Sequence, residues 1–449
     1  MKKLNTPTGF SRSSWIILLL FGTIGQLAWS VENMYFNLFV FETVAPNLDT
    51  VTLMVQLSGI AATVTTLVAG VLSDKTGNRR SFIAWGYVIW GVTVALFGCL
   101  SPELVGKIFS LDSARAVSVA LILVVVGDCV MTVFGSTAND AAFNAWVTDN
   151  TRPEFRGTVE GVVSILPLIA MLVVAGGFGI LVSAIGYTAL FVGLGAVISL
   201  SGVLGIFLIK DSPEMERSGT LGDIFYGFRP SVVRTHLPLY VSFVIILVYG
   251  IACQIFMPYL IIYMKTYLSF TVLEYSIVFG AAIVLGAVIN VFLGRLSDRM
   301  DKVKLLYIAS GVMALGLFGM YLAPAGNKTA SLLVFGIFGF VMICGYIFVS
   351  ALCGSTVRDY TPEGAVGKLQ GVRMVFSVLI PMLAGPAIGN AINKAQGLKL
   401  EDAGADIMTT EYIPAPEIFL VGAIVTLLLF AIIPLLGKAV RADAGKCKR

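Results

Sequence analysis

Long apolar runs recur along this chain and leave it little choice of fold. They lie at roughly residues 15–41, 50–73, 81–101, 115–146, 157–184 and 186–209, and after a polar stretch at 237–264, 270–296, 304–323, 330–356, 366–393 and 414–437. About 20 apolar residues suffice for a helix to cross a bilayer, and inside lipid every backbone amide must be bonded within its own segment. The chain therefore reads as an all-α integral membrane protein: twelve transmembrane helices in two bundles of six around a central cavity. Only 12% of its 449 residues are charged, about half of what a soluble domain carries. The expected domains are a first bundle over 1–210, a central loop over 211–236, a second bundle over 237–437 and a basic tail over 438–449.

Charge asymmetry orients the spans. Alternate connecting segments, beginning with the N-terminal one, hold 23 of the 30 Lys and Arg residues. The other set holds Lys107, Arg115, Lys265, Lys328, Lys394 and Lys399, and Arg373 falls inside a span. The bias places both termini in the cytoplasm and accounts for the net charge of +4 without a nucleic-acid surface. A plasma (inner) membrane location is expected. The basic N-terminus MKKLNTPTGFSRSS resembles the start of a signal peptide, but no small-x-small cleavage site precedes Glu32, so it reads as an uncleaved first span. The six cysteines show no CxxC spacing and the single histidine is His236, so neither disulfides nor a metal site is expected. Nor does any nucleophile or phosphate-loop pattern point to an enzyme.

The two halves repeat. GVLSDKTGNRR (Gly70 to Arg80) is echoed by GRLSDRMDKVK (Gly294 to Lys304), and DNTRPEFRGTVEG (Asp149 to Gly161) by DYTPEGAVGKLQG (Asp359 to Gly371). The first of these meets, at every position, the signature Gly-x-Leu-Ala/Ser-Asp-Arg/Lys-x-Gly-x-Arg/Lys-Arg/Lys, and on that ground the chain resembles the major facilitator superfamily. The resemblance implies transport by alternating access. It also implies a conformational latch drawn from Gly70, Asp74, Gly77, Arg79, Arg80, Asp149, Arg156 and Asp298. Gly70 would let helices approach closely, Gly77 would permit a tight turn, and Asp74 would accept bonds from an arginine or a helix N-terminus. The second copy is degraded, with Asp301 in place of a glycine and Val303 in place of a basic residue. NDAAFNAWVTDNTRPEFRG is similar to the glycoside, pentoside and hexuronide cation symporters and to sucrose-type proton symporters. The paired acids that sodium-using members carry on span 2 are missing from Thr50 to Ser73, so a proton is the expected coupling ion and sodium the less expected one.

Charges in the spans need a reason, since an acid at mid-bilayer costs about 3 kcal/mol on insertion scales. GQLAWSVENMYFNLFVF (Gly25 to Phe41) carries Glu32. At 100° per residue Gln26, Ser30, Asn33 and Asn37 share one face with Trp29 and Phe36 beside it, and Glu32 falls to the Trp29 side. On span 4, Asp128, Thr132, Gly135, Asn139, Phe143 and Trp146 form a second stripe, with Asp140 off it. Both stripes suit a cavity wall: amides bond hydroxyl groups, and a Trp face covers the apolar side of a sugar ring. The proton-coupling candidates are Glu32, Asp128 and Arg373. Substrate-binding candidates are Gln26, Trp29, Asn33, Asn37, Thr132, Asn139, Tyr249, Gln254 and Tyr346. Pro258 should bend span 7, and Gly176, Gly177, Gly385 and Gly389 should permit close helix packing. The expected function is secondary active transport of a sugar, glycoside or similar hydroxylated solute by proton symport, in a monomer whose partners are its solute and the bilayer. The alternative is a facilitator or exporter of amphipathic compounds, which would call for a mainly apolar cavity.

Overall fold

A computed structural model describes residues 11–151, 159, 162–163, 165–212, 221–297, 301–361, 366–399 and 412–446. Among these the regular structure is helical, apart from an isolated bridge between Lys399 and Tyr412. Eleven helical stretches are long and apolar enough to cross a membrane. One of them, Leu166–Leu208, runs for 43 residues, about 65 Å at 1.5 Å per residue and twice the thickness of a hydrocarbon core. It is broken at Gly186, whose φ of 79° and ψ of 165° lie outside what side-chain-bearing residues adopt. Residues 166–185 and 187–208 are therefore spans 5 and 6, and the count among the described residues is twelve. The others are span 1 (Arg12–Val44), 2 (Leu48–Thr76), 3 (Arg79–Phe97), 4 (Ser113–Asp149), 7 (Leu237–Thr266), 8 (Val272–Ser297), 9 (Lys302–Tyr321), 10 (Lys328–Tyr360), 11 (366–396) and 12 (417–446).

The chain forms two compact units, residues 1–46 with 60–221, and 47–59 with 222–449. In the first, span 6 lies against span 3 so closely that a Cβ on Gly91 would stand 2.3 Å from the Gly195 carbonyl, and Ser199 Oγ donates to Val88 O at 2.9 Å. In the second, span 11 presents Gly385 and Gly389 to the backbone of span 7 at Gln254 and Ile255, the close packing expected of them. The same does not hold for Gly176 and Gly177, where a Cβ would meet open space within 4 Å. These two sit instead in a π-wound turn, Val174–Phe178. Pro258 interrupts span 7 with a 3-10 turn, Met257–Tyr259, after which α-helix resumes over Leu260–Thr266.

Residues 47–59 open span 2 yet belong to the second unit. Asp49 accepts hydrogen bonds from Asn390 Nδ2 at 2.6 Å and Lys394 Nζ at 2.8 Å. Gln56 donates to Leu383 O at 2.7 Å, and the Thr52 hydroxyl meets Tyr259 Oη at 2.7 Å. Part of the expected central loop is folded too. Leu221–Phe228 is a 3-10 helix and Pro230–Thr235 an α-helix. Val232 packs there with Leu239, Tyr240, Phe243, Val357, Leu369 and Val372, flanked by Tyr226 and Val233. These apolar side chains in a nominal linker find a face on spans 7, 10 and 11, which repays the entropy of ordering it. Similarly, helix continues to Lys446, through the start of the expected tail.

Candidate functional site

The first unit buries a group of carboxyls. Glu32 is 7% exposed and Asp128 1%. Glu32 Oε1 faces Thr132, whose hydroxyl stands 3.2 Å away and also lies 2.8 Å from the Asp128 carbonyl. The other oxygen, Oε2, is buried with no hydrogen-bond partner. Asp128 and Asp140 are the like charges that act on Glu32, Asp128 the more strongly. Asp140 Oδ2 accepts from Ser136 Oγ at 3.0 Å, and the Trp29 indole lies beside the same carboxyl. Trp29 and Trp90 close the group on one side, with ring centroids 5.1 Å apart. They fit because Gly135 has no side chain: a Cβ there would stand 2.7 Å from the Trp90 ring and 3.0 Å from Trp29.

Irregular winding brings these groups together. Glu32–Phe36 and Val40–Val44 on span 1 and Ser136–Phe143 on span 4 are π-helical, a geometry common at functional sites. At a constant 100° per residue Asp140 would lie about 120° from Asp128. With the wider turn of about 80° per residue from Ser136 onward the separation falls to about 40°. Asp140 is thus part of the site although a regular helical wheel excludes it. The signal available beforehand was its spacing of four from Ser136 and twelve from Asp128.

The same winding corrects the span 1 stripe. Asn33 is exposed and Asn37 only 2% exposed, so the two do not share surroundings. Their amides turn back on their own helix, Asn33 Nδ2 to Trp29 O at 2.8 Å and Asn37 Nδ2 to Asn33 O at 3.1 Å. Gln26 and Trp29 are half-buried. On the span 4 stripe the buried side chains bond within the first unit. Asn139 donates to Tyr87 Oη at 2.7 Å, and Tyr87 Oη donates to Phe21 O at 2.7 Å. Gly25 makes room for that pair, since a Cβ on it would lie 2.1 Å from Asn139 Nδ2. Trp146 Nε1 donates to Lys210 O at 2.9 Å.

In the second unit Tyr249 and Tyr346 meet, with centroids 5.6 Å apart and Tyr249 Oη donating to Tyr346 O at 3.1 Å. Gln254 is half-buried against Gly385. Arg373 is exposed, and its carbonyl accepts from Ser377 Oγ at 2.7 Å. It lies in the last turn of the α-helix Val366–Met374, before a further π segment, Val375–Leu379.

The signature forms its own cluster at one end of the first unit. Arg79, 5% exposed, reaches Asp149 from Nε at 3.1 Å and bonds Asp74 from Nη2 and Ser73 from Nη1. Arg80 N donates to Asp211 Oδ1 at 2.9 Å and its guanidinium to the Ile206 carbonyl. Gly77 has φ +66°, which a tight turn after span 2 requires. Gly70 departs from expectation, because a Cβ there would meet nothing within 4 Å and so no close approach depends on it. Arg156 and Asp298 lie outside the described residues.

Comparison with known proteins agrees with this architecture. The sequence profile of the Major Facilitator Superfamily matches residues 18–386. Solved structures with the same fold include the nucleoside transporter NupG (D323A mutant), with TM-score 0.67, 12% identity, and 94% of this chain and 99% of that one covered. A bacterial homologue of the human lysosomal transporter Spinster gives TM-score 0.67 at 14% identity, with 96% and 98% covered. A D-xylose-proton symporter gives TM-score 0.66 at 12% identity, with 93% and 97% covered. No curated protein sequence matches the chain significantly.

Proposed function

Because the chain belongs to the major facilitator superfamily and is a membrane transporter rather than an enzyme, we propose that it carries a sugar, glycoside or similar hydroxylated solute by proton-coupled symport. The observation that carries this reading is the buried Glu32, beside Asp128 and Thr132, with one oxygen unbonded. Among the described residues no lysine or arginine pairs with it. An ionisable group within a span, with no counter-cation, is a candidate proton-binding group by default. A proton rather than sodium is favoured because residues 50–73 of span 2 carry no acid to pair with Glu32.

A hydroxylated solute is supported by the half-open Gln26 and Trp29 and the exposed Asn33, which offer amide donors and acceptors beside an aromatic face. Two structural neighbours, a nucleoside transporter and a D-xylose-proton symporter, handle solutes of that chemistry. The lysine and arginine asymmetry supports cytoplasmic termini in a plasma (inner) membrane.

The experiment is uptake into proteoliposomes under a pH gradient, after a thermal-shift screen with mono- and oligosaccharides, uronic acids and amphipathic drugs has chosen the solute. Glu32→Gln and Asp128→Asn should each abolish gradient-driven accumulation. Unchanged uptake in both would reject the coupling assignment, and stabilisation by drugs alone would favour an exporter of amphipathic compounds.

A further inference from the structure

Span 4 carries a polar side chain at every fourth position: Asp128, Thr132, Ser136, Asp140, Asn144 and Thr148. In a regular α-helix such a series drifts about 40° around the axis at each step and soon leaves its starting face. The π winding of Ser136–Phe143 turns the step through it back by roughly 30°. The helix is thus wound so that the ladder persists. Burial changes along it in one direction. Asp128, Thr132 and Ser136 are buried, Asp140 is half-buried, and Asn144 and Thr148 are exposed. The exposed rungs lead to the end of span 4 where Asp149 meets Arg79. From Asp128 to Asp140 the axial distance is about 18 Å, and about 13 Å more remains to Asp149.

The groups around Asp140 are few. Ser136 Oγ donates to its Oδ2 at 3.0 Å and the Trp29 indole lies beside it. Glu32 of span 1 and Tyr87 of span 3 feel its charge, and Tyr87 Oη is held by Phe21 O and Asn139. Farther in, Glu32 faces Asp128 and Thr132, with the Cys129 thiol beside both acids. No lysine or arginine pairs with Asp140 or Glu32 among the described residues.

We propose that Asp140, with the Ser136 hydroxyl on it, is the exchange station through which the buried Glu32 and Asp128 trade protons with water at the signature end of span 4. The inference rests on the proton-coupling reading above. The step is a proton transfer only. One proton leaves a carboxyl oxygen of Glu32 and crosses through a water molecule, which takes it up as it hands one of its own on, to the Ser136 oxygen; Ser136 at the same time gives its hydroxyl proton to Asp140 across the 3.0 Å bond. The negative charge moves the opposite way, no electron changes hands, and Asp140 then releases its proton to water past Asn144 and Thr148.

The test uses the purified full chain in a pH-jump stopped-flow experiment read by tryptophan fluorescence, since Trp29 and Trp90 flank the acids. Wild type should relax with a measurable amplitude that Glu32→Gln removes. No relaxation in wild type, or one untouched by Glu32→Gln, defeats the coupling reading itself. With that control in place, Asp140→Asn should keep the amplitude and slow the relaxation by about tenfold or more, a modest loss for a general acid–base group. Asp140→Glu should restore the rate. An Asp140→Asn rate equal to wild type overturns the station while leaving Glu32 in its role. If Asp140→Asn does not fold, Ser136→Ala decides, with about threefold or greater slowing expected on the same grounds and an unchanged rate overturning the proposal.

Discussion

The two corner motifs of the half-repeat make the same kind of bond by different means. In the first unit Arg79 joins Asp149, and in the second Lys302 joins Asp359, the acids being the equivalent first residues of DNTRPEFRG and DYTPEGAVG. The residue that aligns with Arg79 is Val303, so the second copy has kept its cation by moving it one position earlier. The settings differ. Arg79 is 5% exposed and shares its guanidinium among Asp149, Asp74 and Ser73, whereas Lys302 and Asp359 are 32% and 48% exposed. A planar fork with five donors suits burial among several acceptors, and a hydrated ammonium suits a single pair at the surface. Pairing alone is therefore a poor guide to what a motif contributes. Burial and the number of bonded acceptors decide it.

That contrast sets an order of effects. Arg79→Met should be the most damaging, because it takes a shared cation from Asp74 and Asp149; breaking a fully buried pair from one side costs about 3–5 kcal/mol, and with these acids 39% and 23% exposed the loss should be about 2–3 kcal/mol. Thermal unfolding of the purified variant measures it, and a loss below about 1 kcal/mol would put Arg79 in the class of surface pairs. Gly77→Ala comes next. It forces a side chain into the left-handed turn at φ +66°, which costs about 1–2 kcal/mol, and the same measurement should show a smaller but clear fall. Lys302→Ala should come last, at under about 1 kcal/mol, and its effect should vanish in high salt because an exposed pair is screened. A Lys302→Ala loss as large as that of Arg79→Met would erase the distinction.

What could be read from the residues follows the reach of the forces involved. The spans were legible because lipid requires long apolar helices, and the signature was legible because its turn glycine, Gly77, and its charged partners, Asp74 and Arg79, lie within a few residues of one another. Glu32 and Asp128 stood out by their cost in a membrane. Asp140 falls away from them on a regular helical wheel, and Asn33 falls beside Asn37, because one angle per residue does not describe segments that are wound otherwise. Close packing, a glycine's usual role in a span, does not hold at Gly70 or at Gly176 and Gly177, because what stands opposite a glycine is set by distant parts of the chain. The folded segment 221–235 was hidden because its packing partners on spans 10 and 11 lie more than a hundred residues away.

The wide turn at Ser136–Phe143 also matters for how relatives of this chain are compared. A helix that turns too slowly holds, in effect, residues surplus to a regular helix of the same pitch. If a relative reaches the same architecture with a regular span 4, a gap-free alignment through this region pairs residues that point in different directions. Identities counted beyond that point then say little about shared chemistry. A deletion placed between Ser136 and Phe143 is the natural event by which one lineage would pass into the other, and it would re-aim Asp140 and every polar rung after it without substituting a single residue.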